Sequence, residues 1–195
     1  MSWISDLWRG APANYQRRPL TVSPDLIPPG AIILTSTSTR NIISWLIREV
    51  THSRVSHSLL YTGGPSLGTI EAEMAGVKTD TIKSWLNDKS TMAWVWVYQK
   101  DGGLRDEQRS KIISYARGCC GKTYDVKEFL GFALGDPEGT KGMEICSRLT
   151  TEAYLEPAIQ TSHKAPDETS PGDQMAWFLI HPDEWTLWAT QNVRT

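Results

Sequence analysis

Cys146 is the residue best placed to act as a nucleophile, because the sequence predicts that it lies near the start of a helix. The segment that follows it, SRLTTEAYLE, has helical character. A cysteine attacks a carbonyl carbon as the thiolate, so its pKa must lie well below the ~8.5 of a free thiol. The partial positive charge of a helix N-terminus lowers the pKa of a nearby thiol, and its N–H groups can bind an oxyanion. The position of Cys146 therefore predicts a nucleophile for acyl transfer.

A cysteine nucleophile needs a base, and His57 is the best candidate in the chain. His57 lies in SHSLLY, a segment that is predicted to form a strand, between small serines that leave its ring free to face a cleft. Glu71 lies in the next strand-like segment. If these strands pair as a hairpin, the Glu71 carboxylate can reach the distal ring nitrogen, fix its tautomer and support the imidazolium.

Each of these residues also has a structural interpretation. A single cysteine on a helix is usually buried for packing. A histidine in a strand is often only hydrogen-bonded. Glu71 and Glu73 share a face of their segment, where both would be solvated carboxylates. The remaining histidines and cysteines are expected to be structural or exposed: His52 at a helix end, His163 in a loop, His181 before a proline, and Cys119 and Cys120 in a turn.

The cysteines and histidines form no recognisable metal or disulfide pattern. The chain has three cysteines, and an odd number argues against a disulfide framework. The adjacent Cys119 and Cys120 are unsuited to bonding with each other because the geometry is strained. With no CxxC pair and only four histidines, no zinc-ligand spacing is present. We therefore expect neither a metal nor a cofactor.

The segments that must position these residues indicate an α+β fold. Strand-like patterns, alternating in polarity or rich in β-branched and aromatic residues, occupy 31–37, 56–63, 68–76 and 92–99. Helical patterns occupy 41–50, 81–88, 104–118, 125–135 and 144–156. The candidate helix-capping residues are Thr39, Thr79 or Asp80, and Gly118. A helix or turn and then a strand follow the polar loop at 163–173. We expect a central antiparallel sheet packed with helices.

Prolines and tryptophans bear on the organisation of the chain. Four prolines interrupt residues 1–28, and Pro29 follows directly. We expect residues 1–28 to form an irregular N-terminal extension before one domain at 29–195. Several of the nine tryptophans lie near the ends of the chain, at Trp3, Trp8, Trp185 and Trp188. They either close the core or form a contact surface, and we favour the core.

Composition and charge argue against several classes of function. The formal net charge is −2 and no basic stripe stands out, so nucleic acid is not expected as the main partner. No apolar run approaches the ~20 residues that cross a bilayer. The first residues lack the apolar segment of a secretory signal. We therefore expect a protein made in the cytoplasm that needs another delivery route if it acts elsewhere.

Five short motifs follow one another in an order that is typical of a known family. They are PGAIILTST, VSHSLLYTG, TIEAEMAGVKTDTIKSWL, GKTYD and EICSRLTTEAY. In this order they resemble the YiiX-like branch of the NlpC-type superfamily, the circularly permuted papain-like hydrolases. The resemblance covers about residues 28–155, and SPGDQ at 170–174 is a weaker match. It implies Cys146 as nucleophile, His57 as base and Glu71 as orienting acid, and the permutation explains why the histidine strand precedes the cysteine helix.

Residues beside this triad are expected to contact the substrate. Tyr124 matches a tyrosine that is often seen in this branch, and Ser56 and Ser147 adjoin the histidine and the cysteine. Two positions depart from the family pattern: Ala31 stands where an aspartate is common, and Arg148 where a glutamate is common. Both departures make the local charge more positive, which either favours an acidic substrate or reflects drift.

The resemblance implies hydrolysis of an amide bond through a thioester, with peptidoglycan stem peptides cut by an endopeptidase or amidase. The protein would then be a toxin delivered to the periplasm of a rival cell, such as a type VI secretion effector with an immunity protein, or a phage or housekeeping hydrolase. One alternative is a lipid acyl hydrolase or acyltransferase of the lecithin:retinol acyltransferase-like type, with tryptophans lining an acyl pocket or touching a membrane. The other is a non-enzymatic binding module in which Cys146 is an unreactive buried thiol.

Overall fold

Six strands form one antiparallel sheet in the computed structural model, which describes residues 22–36, 53–87, 92–123 and 146–191. The strands are β1 (Ile32–Ser36), β2 (His57–Gly63), β3 (Gly68–Glu73), β4 (Gly76–Thr81), β5 (Met92–Tyr98) and β6 (Trp185–Gln191). Their order across the sheet is β4-β3-β2-β1-β5-β6. The helices of the described ranges are α1 (Ile82–Asn87), α2 (Asp106–Gly118), α3 (Cys146–Leu155) and α4 (Pro171–Ile180). Single 3-10 turns occur at Pro24–Leu26, Lys100–Gly102 and Pro166–Glu168. The predicted α+β class with an antiparallel sheet is confirmed.

The central strands are buried on both faces, which is why they read as continuous apolar runs. On one face, Ile32, Leu34 and Leu60 pack with residues of α2, α3 and α4. On the other face, Ile33 and Leu59 form a second core cluster. That cluster includes Ile82 at the start of α1. Residues of helices therefore pack on both faces of the middle strands, including β2.

The strands predicted at 31–37, 56–63, 68–76 and 92–99 correspond to β1, β2, β3 and β5. The helices predicted at 81–88, 104–118 and 144–156 correspond to α1, α2 and α3, and the final helix and strand are α4 and β6. The helices predicted at 41–50 and 125–135, with the cap Thr39, lie outside the described residues. The boundary of the N-terminal extension at residue 28 stays a prediction.

The expected capping roles of Thr79 and Asp80 are wrong. Both residues lie in β4, where Thr79 pairs with Ile70 and Asp80 with Thr69 of β3. The helix begins after them, at Ile82. β4 is an edge strand, so most of its residues are partly solvent-exposed and only Val77 is both apolar and buried. An edge strand of this kind lacks the alternating apolar pattern that identifies the other strands.

The tryptophans near the C-terminal end have different environments. Trp185 is buried in the core against Tyr154 and Phe178. Trp188, in contrast, is 43% exposed. Trp3 and Trp8 lie outside the described residues. Among the described helices, none is both long enough and apolar enough to span a membrane.

Candidate active site

Cys146 is the first described residue of α3, and its side chain is buried. The helix packs against β2, where the hydroxyls of Ser58 and Thr150 lie 2.9 Å apart. Backbone hydrogen bonds from Ser58 and Ser147 reach the Cys146 thiol. The start of α3 thus lies beside the start of β2, the position that the sequence predicts for the catalytic base.

His57 is the first residue of β2, and its ring meets Glu71 on the neighbouring strand β3. Nε2 of His57 lies 2.8 Å from Oε2 of Glu71. The register pairs Leu59 with Glu71, so His57 and Glu71 are diagonal neighbours across the two strands. The Glu71 side chain is fully buried. The alternative interpretation of Glu71 as a solvated carboxylate is therefore wrong, and the predicted hairpin brings the acid to the histidine.

Cys146 and His57 are electrostatically coupled. Burial opposes the charged form of His57, but the Cys146 thiolate and the Glu71 carboxylate overcome it and raise the pKa of His57 to about 10. Burial likewise opposes the thiolate, yet the imidazolium and the backbone hydrogen bonds lower the pKa of Cys146 below its usual value. Because Glu71 holds Nε2, Nδ1 is the ring nitrogen left to face the thiol. These shifts both favour the thiolate form of Cys146 and the imidazolium form of His57 over the neutral pair.

Trp85 of α1 contacts both the histidine and its carboxylate. Its indole ring stacks on the His57 ring, with the ring centroids 5.0 Å apart and the planes inclined by 26°. Its Nε1 donates a hydrogen bond to Oε1 of Glu71 at 3.2 Å. The sequence interpretation missed this residue. The available signal was its place in the motif TIKSWL, but a tryptophan on a short helix is ordinarily a packing residue.

A group of charged side chains centred on Lys78 lies next to Glu71. Nζ of Lys78 lies 2.7 Å from Oε2 of Glu73, 3.7 Å from Oδ2 of Asp80 and 3.8 Å from Oε1 of Glu71. The hydrogen bond with Glu73 is the main cause that raises the pKa of Lys78. One ligand atom each from His57, Glu71 and Glu73 lies within 4.8 Å of the other two, a spacing that could hold a metal ion. In this structure the Lys78 ammonium supplies the positive charge beside these carboxylates.

The residues predicted to contact substrate have different environments. Ser147 is fully buried, and its hydroxyl donates to the carbonyl oxygen of Thr169 at 2.5 Å. Ser56 is also buried, and its hydroxyl forms no hydrogen bond within the described part of the chain. Tyr124 lies outside the described residues. Substrate contact by these three residues stays a prediction, and the Ser147 hydroxyl is already engaged in holding α3.

Gln174 of α4 anchors the helix that begins with the nucleophile. Its Nε2 lies 2.9 Å from Oγ1 of Thr150, 3.1 Å from Oγ1 of Thr151 and 3.4 Å from the carbonyl oxygen of Ser147. All of these groups are buried, where a hydrogen bond that is lost is costly. This glutamine lies in SPGDQ, where the resemblance to the family is looser, and its role was not predicted.

The other histidines and cysteines of the described chain occupy structural or exposed positions, as predicted. His163 is exposed, and His181 stacks on Trp177 and hydrogen-bonds to its carbonyl oxygen. Cys119 is buried at the end of α2, and Cys120 is exposed. His52 lies outside the described residues.

Comparisons with known proteins identify the family of this chain. A family model described as "Permuted papain-like amidase enzyme, YaeF/YiiX, C92 family" matches residues 26–171. No curated protein matches the chain. Among solved structures, the chain is similar to the crystal structure of the metalloprotein yiiX from Escherichia coli O157:H7, with 20% identity and a TM-score of 0.49. That match covers 87% of this chain and 98% of the other. The region matched by the family model contains Cys146, His57 and Glu71.

Proposed function

The chain belongs to the YaeF/YiiX family of permuted papain-like amidases, and we propose that it hydrolyses an amide bond with Cys146 as nucleophile. His57 acts as base and acid, and Glu71 orients and stabilises its ring. The observation that carries this proposal is the hydrogen-bonded series from the buried Cys146 thiol through His57 to the fully buried Glu71 carboxylate. Enzymes that transfer acyl groups commonly use this arrangement, in which a nucleophile contacts a base and the base contacts an orienting group.

The first half of the proposed reaction transfers the acyl group to sulfur. The Cys146 thiolate donates an electron pair to the amide carbonyl carbon, and the carbonyl oxygen becomes an oxyanion. The N-terminus of α3 stabilises negative charge at this point. The C–N bond then breaks as the His57 imidazolium gives its proton to the departing nitrogen. The products are an amine, a thioester on Cys146 and a neutral His57.

The second half releases the acyl group as an acid. Neutral His57 takes a proton from water while the water oxygen attacks the thioester carbonyl carbon. The C–S bond then breaks, and the sulfur leaves as a thiolate. Glu71 stays hydrogen-bonded to Nε2 throughout the cycle. Nδ1 is therefore the nitrogen that gives the proton in the first half and takes one in the second. The cycle ends with the thiolate and the imidazolium restored.

We propose peptidoglycan stem peptides as the substrate class. The charged side chains near Glu71 are partly exposed and carry both signs, because Lys78 lies within ion-pair distance of Glu73 and Asp80. A peptide with free carboxylates and amines complements such a surface better than an acyl chain does. The exposed apolar pair Leu187 and Trp188 lies on β6, which β1 and β5 separate from β2. These residues are therefore poorly placed to line an acyl pocket at the Cys146 thiol.

The setting that we propose is delivery to the periplasm of a target cell, as for a type VI effector that an immunity protein blocks in the producing cell. None of the three cysteines, all of which lie within the described residues, forms a disulfide. A domain without disulfides is able to fold in a reducing compartment before transfer. The same chemistry would serve a phage or housekeeping hydrolase, and an immunity partner that binds the site would distinguish these settings.

Digestion of intact peptidoglycan sacculi tests the proposal. The wild type, Cys146→Ala and Cys120→Ala would be incubated with sacculi, and soluble fragments would be identified by mass spectrometry. Cys120→Ala is the matched control, because this exposed thiol lies at the end of α2 outside the site. We expect fragments from the wild type and from Cys120→Ala and none from Cys146→Ala, with masses that identify the bond.

Other results would contradict particular parts of the proposal. Fragments from Cys146→Ala would show that another residue is the nucleophile. Absence of fragments from every protein, together with Cys146-dependent hydrolysis of lipid esters in vesicles, would replace the peptide substrate with a lipid. Absence of both activities, with a Cys146 that resists alkylation, would favour the binding module.

A further inference from the structure

Trp85 contacts both His57 and Glu71. Its ring stacks on His57 at a centroid separation of 5.0 Å, and its N–H donates to Oε1 of Glu71 at 3.2 Å. The other carboxylate oxygen, Oε2, accepts from His57. One side chain thus contacts both members of the pair that orients the base, through a ring face and through a hydrogen bond.

The position of Trp85 is set by the junction between β4 and α1. The backbone N–H of Ile82 donates to the carbonyl oxygen of Leu67 at 2.9 Å, and the Ile82 side chain is buried in the sheet core. The hydroxyl of Ser84 donates to the carbonyl oxygen of Thr81 at 2.7 Å. These contacts fix the first turn of α1, so Trp85 projects from an anchored element and not from a free loop.

The surroundings of Glu71 explain why the carboxylate needs this contact. Oε1 lies 3.8 Å from Nζ of Lys78, which is beyond hydrogen-bond distance but attractive. Without the indole N–H, the carboxylate can rotate toward the ammonium and away from His57. Without the indole ring, the imidazole loses the surface that restrains its rotation and favours its cationic form.

We propose that Trp85 is a positioning residue of the active site, which keeps Glu71 aligned on His57 and the His57 ring aligned on Cys146. This inference rests on the proposed function, because it requires that Cys146 and His57 act as a reactive pair. It assigns two separable contributions to one side chain: the N–H orients the carboxylate, and the ring face restrains the imidazole. The two contributions can be removed one at a time.

The test measures the pH dependence of Cys146 alkylation by iodoacetamide, which reacts with the thiolate. Trypsin releases Cys146 in the peptide 142–148 and the other two cysteines in 118–122, so mass spectrometry follows them separately. Trp85→Phe keeps a ring and removes the N–H, whereas Trp85→Leu removes both. Trp188→Phe is the matched control, because Trp188 is exposed on β6 at the far edge of the sheet.

We expect Trp85→Phe to move the midpoint of Cys146 alkylation to higher pH and to slow alkylation at neutral pH by about three- to tenfold. Trp85→Leu should slow it further, while Trp188→Phe should match the wild type. A purely structural role would lower the melting temperature of the Trp85 variants and leave the midpoint unchanged, which would overturn the inference. If Trp85→Leu does not fold, the comparison of Trp85→Phe with the wild type decides.

A separate variant distinguishes failure of this inference from failure of the proposed function. His57→Ala should raise the midpoint to that of an ordinary thiol if Cys146 and His57 form the reactive pair. Equal midpoints for the wild type and His57→Ala would contradict the proposed function itself. A midpoint that shifts in His57→Ala but not in either Trp85 variant would leave the proposed function in place and overturn the role of Trp85.

Discussion

At the scale of single residues, Glu71 shows why burial matters to the chemistry. Its side chain has no exposure to solvent, and a carboxylate in such a position must find its partners within the protein. His57 and Trp85 donate to its two oxygens, and Lys78 lies near the second. Glu73, two residues away on the same strand, is partly exposed and pairs with Lys78. Two similar carboxylates on one strand therefore have different roles.

This difference predicts unequal effects of removing the two charges. Glu71→Gln should reduce amide hydrolysis at neutral pH by about tenfold or more, because the neutral amide stabilises the imidazolium less. Glu73→Gln should change the rate by less than about threefold, since exposed ion pairs contribute little. Initial rates of fragment release from the two variants check this. Equal losses in both would mean that general surface charge, and not orientation of His57, governs the rate.

The coupled pair also predicts a bell-shaped dependence of hydrolysis on pH. On the acid side, activity rises as the Cys146 thiol ionises, with a pKa below that of an ordinary thiol. On the alkaline side, activity falls as His57 loses its proton at a pKa of about 10. A neutral His57 has no proton to give to the departing nitrogen. Initial rates across this range check the profile, and a rate that still rises well above the pKa of His57 would contradict it.

The site residues that the sequence predicted are those that belong to short motifs. Cys146, His57 and Glu71 each lie in a segment whose order along the chain is informative, and the structure brings the three together. Trp85 and Lys78 lie in the same motif as Glu71, but their place in it did not reveal a role. Their contacts with Glu71 arise from the pairing of β3 with β4 and from the start of α1, which are tertiary features.

At the scale of elements, the nucleophile depends on how α3 is held. Ser58 and Thr150 connect α3 to β2, and Gln174 connects it to α4. The N-terminus of α4 is in turn closed by a capping box. Ser170 accepts a hydrogen bond from the N–H of Asp173 at 3.1 Å, and the Asp173 carboxylate accepts from the N–H of Ser170 at 2.9 Å. The capping box thus supports the helix that carries Gln174.

Ser170→Ala tests the contribution of the capping box. Loss of the capping hydroxyl should lower the free energy of unfolding by about 1 kcal/mol. Ser114→Ala, at an exposed position within α2, should change it by less than about 0.5 kcal/mol because alanine favours helix. Urea denaturation measures both variants. No difference between them would mean that the box does not stabilise α4.

Elements were predictable where burial gives a pattern. β1, β2 and β5 have apolar or β-branched runs because both of their faces are covered, and α3 shows a helical pattern around Cys146. β4 was missed because it is an edge strand with a single buried apolar residue, Val77. Its presence depends on pairing with β3, a non-local interaction that the polarity pattern does not record.

At the scale of the whole molecule, one sheet separates two core clusters. The candidate active site lies nearer to one edge of this sheet. β2 and β3 provide His57 and Glu71, and they lie toward the β4 edge of the sheet. β5 and β6 lie toward the other edge and contribute packing residues, including Trp96 and Trp185. The half of the sheet with the active site is therefore distinct from the half that holds most of the buried aromatic residues.

Leu60 and Leu155 provide a matched test of this core. Leu60 of β2 is fully buried among the helices, whereas Leu155 at the end of α3 is 45% exposed. Leu60→Ala should lower the free energy of unfolding by about 2–5 kcal/mol, through lost burial and a cavity. Leu155→Ala should lower it by less than about 1 kcal/mol. Urea denaturation separates the two results, and similar losses would contradict the assignment of Leu60 to the core.

Competitive alkylation of the native protein tests the central claim most directly, because it compares the reactivity of Cys146 with that of Cys120 in one sample. Cys146 is buried but its pKa is lowered, whereas the residue Cys120 is exposed and desolvation of its sulfur raises its pKa. Brief treatment with iodoacetamide at neutral pH, followed by trypsin and mass spectrometry, reports both thiols. We predict that Cys146 is modified first, because reaction follows the thiolate. If Cys120 is modified first and Cys146 reacts only after unfolding, Cys146 is a packing residue and the proposed amidase site is wrong.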